Sequence, residues 1–298
     1  MKKIKLLLCL FMLTTLCGCS NSNKNESSKT LNAAMFWIST SLDPTNNYDG
    51  WVLSRIGVGE TLLKLNEKYE VEPYLAKSYE QIDDTTWKLT LKDSITFSNG
   101  KKVTGENVKS CLERAFEKNT RAIDYFDLNH VEAKGQDIYL YLNKSSGAIL
   151  NNLCEPLFTI YDASQSEEDI ANNPLCTGPF VVDDFVSEKT IDTSKNKKYY
   201  DGKAKLDHVH FSQVADSDAR VLALQSGEVD LANTIDYSSL KLFRNNKDYQ
   251  VLEVLGPRTN VIYMNNETTF LSDLTIRKAL SYSVNRKSIV KLIGGKEA

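Results

Sequence analysis

Apolar and polar residues alternate along Thr86-Trp87-Lys88-Leu89-Thr90-Leu91-Lys92, which predicts a strand with one buried face. The same period recurs in Leu31–Ser39, in two strands within Val131–Asn143 with Gly135 at their turn, and in Phe180–Val186, Thr190–Thr193 and Leu206–Val214. Short strands are further expected at 230–232, 251–255 and 261–264. Helical spacing appears over Gly105–Lys118, with Val108, Cys111, Leu112, Ala115 and Phe116 on one face and Thr104 as its cap. Trp51–Leu63 carries apolar residues at helical intervals, although Gly57 and Gly59 weaken a helix there. A short helix is expected at Ala148–Leu153, and another at Asp218–Gln225, stopped by Gly227. Ser272 or Asp273 caps a helix over Leu274–Val284, and Asn285 starts a second that ends at 294–295. Asn99-Gly100 marks a tight turn.

One stretch interrupts these periods. Asn173-Pro174-Leu175-Cys176-Thr177-Gly178-Pro179-Phe180 holds two prolines and a glycine, so it belongs to neither a helix nor a regular strand. Composition alone fits a surface turn. Its flanks, a self-contained segment before and an alternating strand after, make it a crossing between two subdomains.

The chain begins with Lys2, Lys3 and Lys5, then a short apolar run to Leu16, which fits a secretory signal over residues 1–18 rather than a membrane span. Leu16-Cys17-Gly18-Cys19 then resembles a bacterial lipoprotein processing site, with Cys19 as the lipid-bearing mature N-terminus. Residues 19–30 are polar and read as a flexible tether. Loss of the three signal lysines takes the net charge from −3 to −6, which gives no electrostatic footprint for nucleic acid. Processing leaves Cys111, Cys154 and Cys176 besides Cys19, an odd set that is no disulfide framework. Cys154 and Cys176 could pair only if the fold brings them together, and Cys111 fits a buried thiol.

No nucleophile–base pair or phosphate-cradling glycine loop stands out, and no cofactor is called for. His208 and His210 share one strand face, yet without a Cys/His partner motif they fit a polar strand face and no metal site is assigned; His130 stands apart. Ser166-Glu167-Glu168-Asp169 reads as a solvated helix start. The loop Asn46–Trp51 is dense in aromatic and amide groups. It makes Tyr48 and Trp51, with Arg55 one turn on and Tyr125, candidate ligand contacts through ring area and bidentate carboxylate binding. Core packing explains such aromatics equally well.

Six blocks in order resemble the substrate-binding lipoproteins of peptide and nickel ABC importers: Leu42-Asp43-Pro44; Glu60–Leu63 through Glu72–Ser78; Trp87–Leu91 with Phe97–Lys101 and Thr104–Val108; Thr177-Gly178-Pro179-Phe180; Arg220 with Ala223–Asp230; and Arg277–Arg286. The resemblance implies an α/β, periplasmic-binding-protein-like two-lobe fold with an extra β-rich subdomain in the first lobe. The first lobe would take residues 31–47 and 172–262, the subdomain 48–171, and residues 263–298 would open a second lobe otherwise missing from this chain. It implies no enzyme but a monomeric carrier that delivers short peptides to a membrane permease. A nickel or metal-chelate carrier, a peptide-sensing lipoprotein and an inactive fragment are the alternatives. Tyr48 and Tyr125 fall near cleft-lining positions of nickel-binding relatives. Thr159 falls where those relatives use an arginine, and Cys176 replaces a glycine at the crossing, where Cys176, Thr177, Gly178 and Pro179 would set hinge geometry.

Overall fold

The structure, a computed structural model, describes residues 28–254, 256 and 259–294; Cys19 and the signal segment lie outside the described residues. Two sheets organise it. The first combines β1 (Thr30–Met35), β8 (Phe180–Val186), β9 (Thr190–Lys195), β10 (His208–Gln213) and β11 (Leu231–Ala232) in the order β11-β1-β10-β9-β8. β1 runs parallel to β10 and β11, while the β10–β9 and β9–β8 pairs are antiparallel. The second, all antiparallel, has the order β4-β5-β7-β6, built from β4 (Ala76–Gln81), β5 (Thr86–Leu91), β6 (Leu128–Lys134) and β7 (Asp137–Leu142). A small hairpin, β2 (Leu63–Leu65) and β3 (Val71–Pro73), stands beside it.

α1 is the short helix Gly50–Arg55, and α2 (Gly105–Lys118) covers the second sheet. Thr104 and Asn107 cap α2 reciprocally, and Val108, Cys111, Leu112 and Ala115 are buried beneath it, as the period predicts. α3 (Ala122–Tyr125), α4 (Ile149–Asn152) and α5 (Glu167–Asn172) are single-turn connectors, and α6 (Ser217–Ser226) ends on Gly227 at φ +75°. Ser166 caps α5 with three acids in its first turn, the solvated helix start expected there. One buried cluster runs from Ala33 and Val209 through Leu62 and Leu89 to Leu140, so both sheets share a core.

Some expectations fail locally. The helix expected to reach Leu63 stops at Arg55, because Gly57 turns the chain at φ +72° and Gly59 has no room for a Cβ beside Leu53 and Thr159. No strand forms among the described residues of 251–264, where Val254, Ile262 and Tyr263 stand in solvent with no neighbouring strand to pair with. Cys154 and Cys176 do not pair; both are free thiols, Cys154 donating to the Leu150 carbonyl and Cys176 facing Tyr161 across an isolated bridge. Burial pushes the Cys111 thiol up to about 12 and the Cys154 thiol up to about 11. α7 (Leu274–Ser283) and α8 (Arg286–Ile293) form where expected, capped by Asp273 and Asn285, with no fully buried residue in either.

Candidate functional site

The site is built on the loop from Leu42 to Trp51. Asp43 folds its carboxylate back onto the Thr45 amide and hydroxyl at 2.9 and 2.8 Å, which tightens the turn. Asn119, just past α2, donates to the Thr45 and Asn47 carbonyls at 3.0 and 3.1 Å. α1 then packs so closely on the 3₁₀ turn Pro156–Phe158 that a Cβ on Gly50 would lie 2.3 Å from the Pro156 oxygen. That approach sets Glu155 beside Trp51, whose indole N–H donates to Glu155 Oε1 at 2.8 Å.

Arg121 completes the cluster. Its guanidinium stacks 3.7 Å from the Tyr48 ring centroid and donates to the Asn47 carbonyl at 2.8 Å and to the Tyr125 hydroxyl at 2.6 Å. Arg121 Nη2 lies 3.9 Å from Glu155 Oε1. The Tyr125 ring packs edge-on against Phe158 at 5.7 Å, and burial, reinforced by Glu155, pushes its hydroxyl up to about 12. Arg55 lies 5.5 Å from the Trp51 ring and 5.4 Å from the Phe36 ring. Tyr48 is 54 % and Trp51 38 % exposed. The result is an open aromatic face with guanidinium groups against the rings and one carboxylate between them. It can seat a ligand that offers carboxylate oxygens to arginine and apolar or π surface to the rings.

The structure thus brings together Tyr48, Trp51, Arg55 and Tyr125. Thr159 stands apart: it is 1 % exposed and its hydroxyl donates to the Pro156 carbonyl at 2.7 Å, so it lies beneath the surface rather than on it. Arg121 and Glu155 were missed by the sequence reading. Arg121 had a signal, since it sits four residues before Tyr125; Glu155 had none, because its place depends on the distant Gly50 contact.

The crossing at 176–179 is closely packed. Thr177 is fully buried and donates to Glu60 Oε2 at 2.7 Å, while Tyr199 donates to Oε1 at 2.8 Å. A Cβ on Gly178 would lie 2.5 Å from two carbonyl oxygens, Gly57 and Val58. The Asn196 amide N–H reaches the Pro179 carbonyl at 2.8 Å, and its side chain reaches that of Gly178 at 2.8 Å. Burial drives the Cys176 thiol well above its ordinary range. The histidines lie elsewhere: His210 meets Asp192 at 2.6 Å on β10, and His130 stacks on Tyr141 at 4.3 Å. Among the described residues no group of three or more His, Cys, Asp or Glu is placed to hold a metal ion. No helix of those residues is long and apolar enough to cross a membrane.

A mixed sheet and a second antiparallel sheet on one core define an α/β protein, with the open aromatic–arginine face between loop and connectors as its candidate site. The chain belongs to the bacterial extracellular solute-binding proteins of family 5, whose profile (middle region) matches residues 70–298. It is 32 % identical over 274 residues to the nickel-binding protein NikA of Staphylococcus aureus, covering 92 % of this chain and 54 % of the relative. The crystal structure of that relative with Ni(L-His)2 superposes with a TM-score of 0.80 over 89 % of this chain and 56 % of the other. A nickel ABC transporter structure from Bacillus halodurans matches at 30 % identity and a TM-score of 0.76, over 89 % of this chain and 56 % of that one. The glutathione-binding protein GsiB of Escherichia coli is 27 % identical over 241 residues, or 78 % of this chain and 47 % of its own. The chain spans about half the length of the curated relatives it matches.

Proposed function

We propose that this chain contributes the Tyr48–Trp51–Arg121–Tyr125 face of a solute-binding site that captures nickel as a small chelate for import. The carrying observation is the Arg121 guanidinium held flat on Tyr48 at 3.7 Å, beside a half-exposed indole. A charged group poised on aromatic faces binds the carboxylates and planar rings of a chelating ligand without ligating the metal itself. The described histidines lie away from this face, so the metal would arrive inside its own donor set. The similarity to two nickel-related proteins supports this choice of cargo. Delivery to a membrane permease and anchoring through Cys19 belong to the same reading, as does a location on the outer side of a bacterial membrane.

A second reading, capture of a short peptide, is favoured by the likeness to a glutathione-binding protein. Both ligands carry carboxylates for Arg121. Calorimetric titration of the purified chain with nickel plus L-histidine, with nickel alone and with di- and tripeptides separates them. Heat of binding with the nickel–histidine mixture alone is expected. Binding of peptides with no response to the chelate would reverse the order of the two readings.

A further inference from the structure

We infer that His208 and His210 form a second ligand site, a two-imidazole seat for an aquated divalent ion of the late transition series, on the solvent face of the first sheet. It shares no residue with the aromatic–arginine face and stands or falls independently of the ligand proposed there.

The strand sets the pair. Val209 and Phe211 point into the core, so the alternation of β10 leaves His208 and His210 on the outer side. β10 is paired on both edges, to β1 and to β9, which fixes the backbone that carries both rings. Two residues along a strand rise by about 6.6 Å, a gap that two imidazoles can close around one ion at metal–nitrogen distances of about 2.0–2.1 Å.

The neighbouring strands supply the orientation. Asp192 lies opposite His210 in register, and its Oδ1 is 2.6 Å from His210 Nδ1. A carboxylate only accepts, so Nδ1 carries the hydrogen and Nε2 of the neutral ring keeps its lone pair. Asp183, at the bulge of β8, stands 4.0 Å from His208 Nδ1 and is pinned by the Ser194 hydroxyl, which donates to it at 2.8 Å. Both rings therefore turn the same nitrogen toward a carboxylate and leave Nε2 for a ligand. A carboxylate behind the imidazole is the arrangement that orients a metal-binding histidine and strengthens it as a donor. Asp184 also faces Asp192 in register, a like-charge pairing that costs stability and that a bound cation relieves.

Imidazole donors suit nickel, copper and zinc, whereas calcium and magnesium take oxygen. No third His, Cys, Asp or Glu among the described residues is placed to ligate, so water completes the coordination and the ion exchanges with solution.

The chain has three histidines, which makes the test residue-specific. The untagged full chain, labelled with 15N, is titrated with Zn2+ and followed by long-range 1H–15N spectra of the imidazoles. Nε2 of His208 and of His210 is expected to shift together at one ion per chain, with Nδ1 of both still protonated and His130 unmoved. Asp192→Asn should weaken Zn2+ binding by about tenfold, and His208→Gln by at least as much, with unchanged thermal melts. A shift at one ring only, at Nδ1, at all three histidines alike, or at none overturns the inference. So does an Asp192→Asn variant that binds like the parent, because the carboxylate would then orient nothing. Mg2+ in place of Zn2+ should leave the imidazoles unmoved; equal shifts would reduce the site to its carboxylates and overturn the inference as well.

Discussion

Two arginines seven residues apart grip the two ends of the same loop, and they do opposite things. Arg114, on the inner face of α2, is 9 % exposed. It forms paired hydrogen bonds to Asp43 at 2.8 and 2.7 Å, with further contacts to Thr45 at 2.6 Å, Tyr161 at 2.9 Å and Glu167 at 2.5 Å. Arg121 holds the outer end of the loop through one backbone carbonyl and keeps its face on an exposed tyrosine. One guanidinium is consumed by the fold; the other is positioned by it. The comparison teaches that residue type does not separate a cation consumed by the fold from one still able to meet a ligand. What separates them is how many donors the fold itself uses and whether the ring beneath faces solvent.

The largest expected effect falls on the inner end. Arg114→Met should cost roughly 3–5 kcal/mol, because it strands the Asp43 carboxylate and the Tyr161 hydroxyl in a buried setting. Burial alone would raise Asp43, yet hydrogen bonds from Arg114 and Thr45 outweigh it and hold the carboxyl below its ordinary value. A lowered folded pKa gives stability that is present above the unfolded value of 3.8 and is lost as pH falls through the folded one. In urea titrations the variant should therefore lose most against the parent at neutral pH and least in strong acid. A loss under about 1 kcal/mol at pH 7 would break the contrast between the two arginines.

Between the two ends lies Asp49, which should give an intermediate effect of opposite pH sense. The residue is 3 % exposed, and its carboxylate accepts from Asn46 Nδ2 at 2.7 Å. Burial pushes its pKa up from 3.8 to about 6, with a smaller push from Asp43, against the lowering effect of Asn46. A raised folded pKa means stability that is fully present below the unfolded value and lost as pH rises through about 6. Asp49→Asn keeps the Asn46 contact and removes the buried charge. It should stabilise the chain by on the order of 1–2 kcal/mol at neutral pH, with the gain fading toward pH 4. Denaturation midpoints that rise equally at both pH values would show that burial of the charge is not the cause.

Much of this was legible from periodicity. The α2 cap at Thr104, the Gly135 turn and the Gly227 stop were all read correctly, because each depends on residues within one or two turns. The short helix at Gly50–Arg55 was over-extended because Gly57 bends a chain whose apolar spacing continues past it. The aromatic members of the site were visible as large residues in a loop. Glu155 was not, since the contact that seats it joins positions 104 residues apart. Thr159 was drawn in by position and is removed by burial, which no local pattern announces. Count alone left open whether Cys154 and Cys176 pair, and the fold sets the two thiols against different neighbours.

The smallest expected change in stability, and the one that sharpens the comparison most, is at the outer end. Arg121→Gln removes the guanidinium of a side chain that is 26 % exposed, its stacking on Tyr48 and its bond to the Asn47 carbonyl. An exposed cation–π contact contributes about 0.5–1 kcal/mol. The ion pair to Glu155 is long and adds little at a site open to water. Asn119 still holds the same carbonyl at 3.1 Å, so the loop keeps its anchor. The melting curve should move little, corresponding to less than about 1 kcal/mol. Affinity for a carboxylate-bearing ligand should fall by about tenfold or more, because the charge-assisted contact proposed for Arg121 is lost. Calorimetry and a thermal melt on the same preparation read both quantities. If stability collapses while affinity for the folded fraction holds, Arg121 belongs with Arg114 as part of the scaffold, and recognition must pass to Arg55 and the rings.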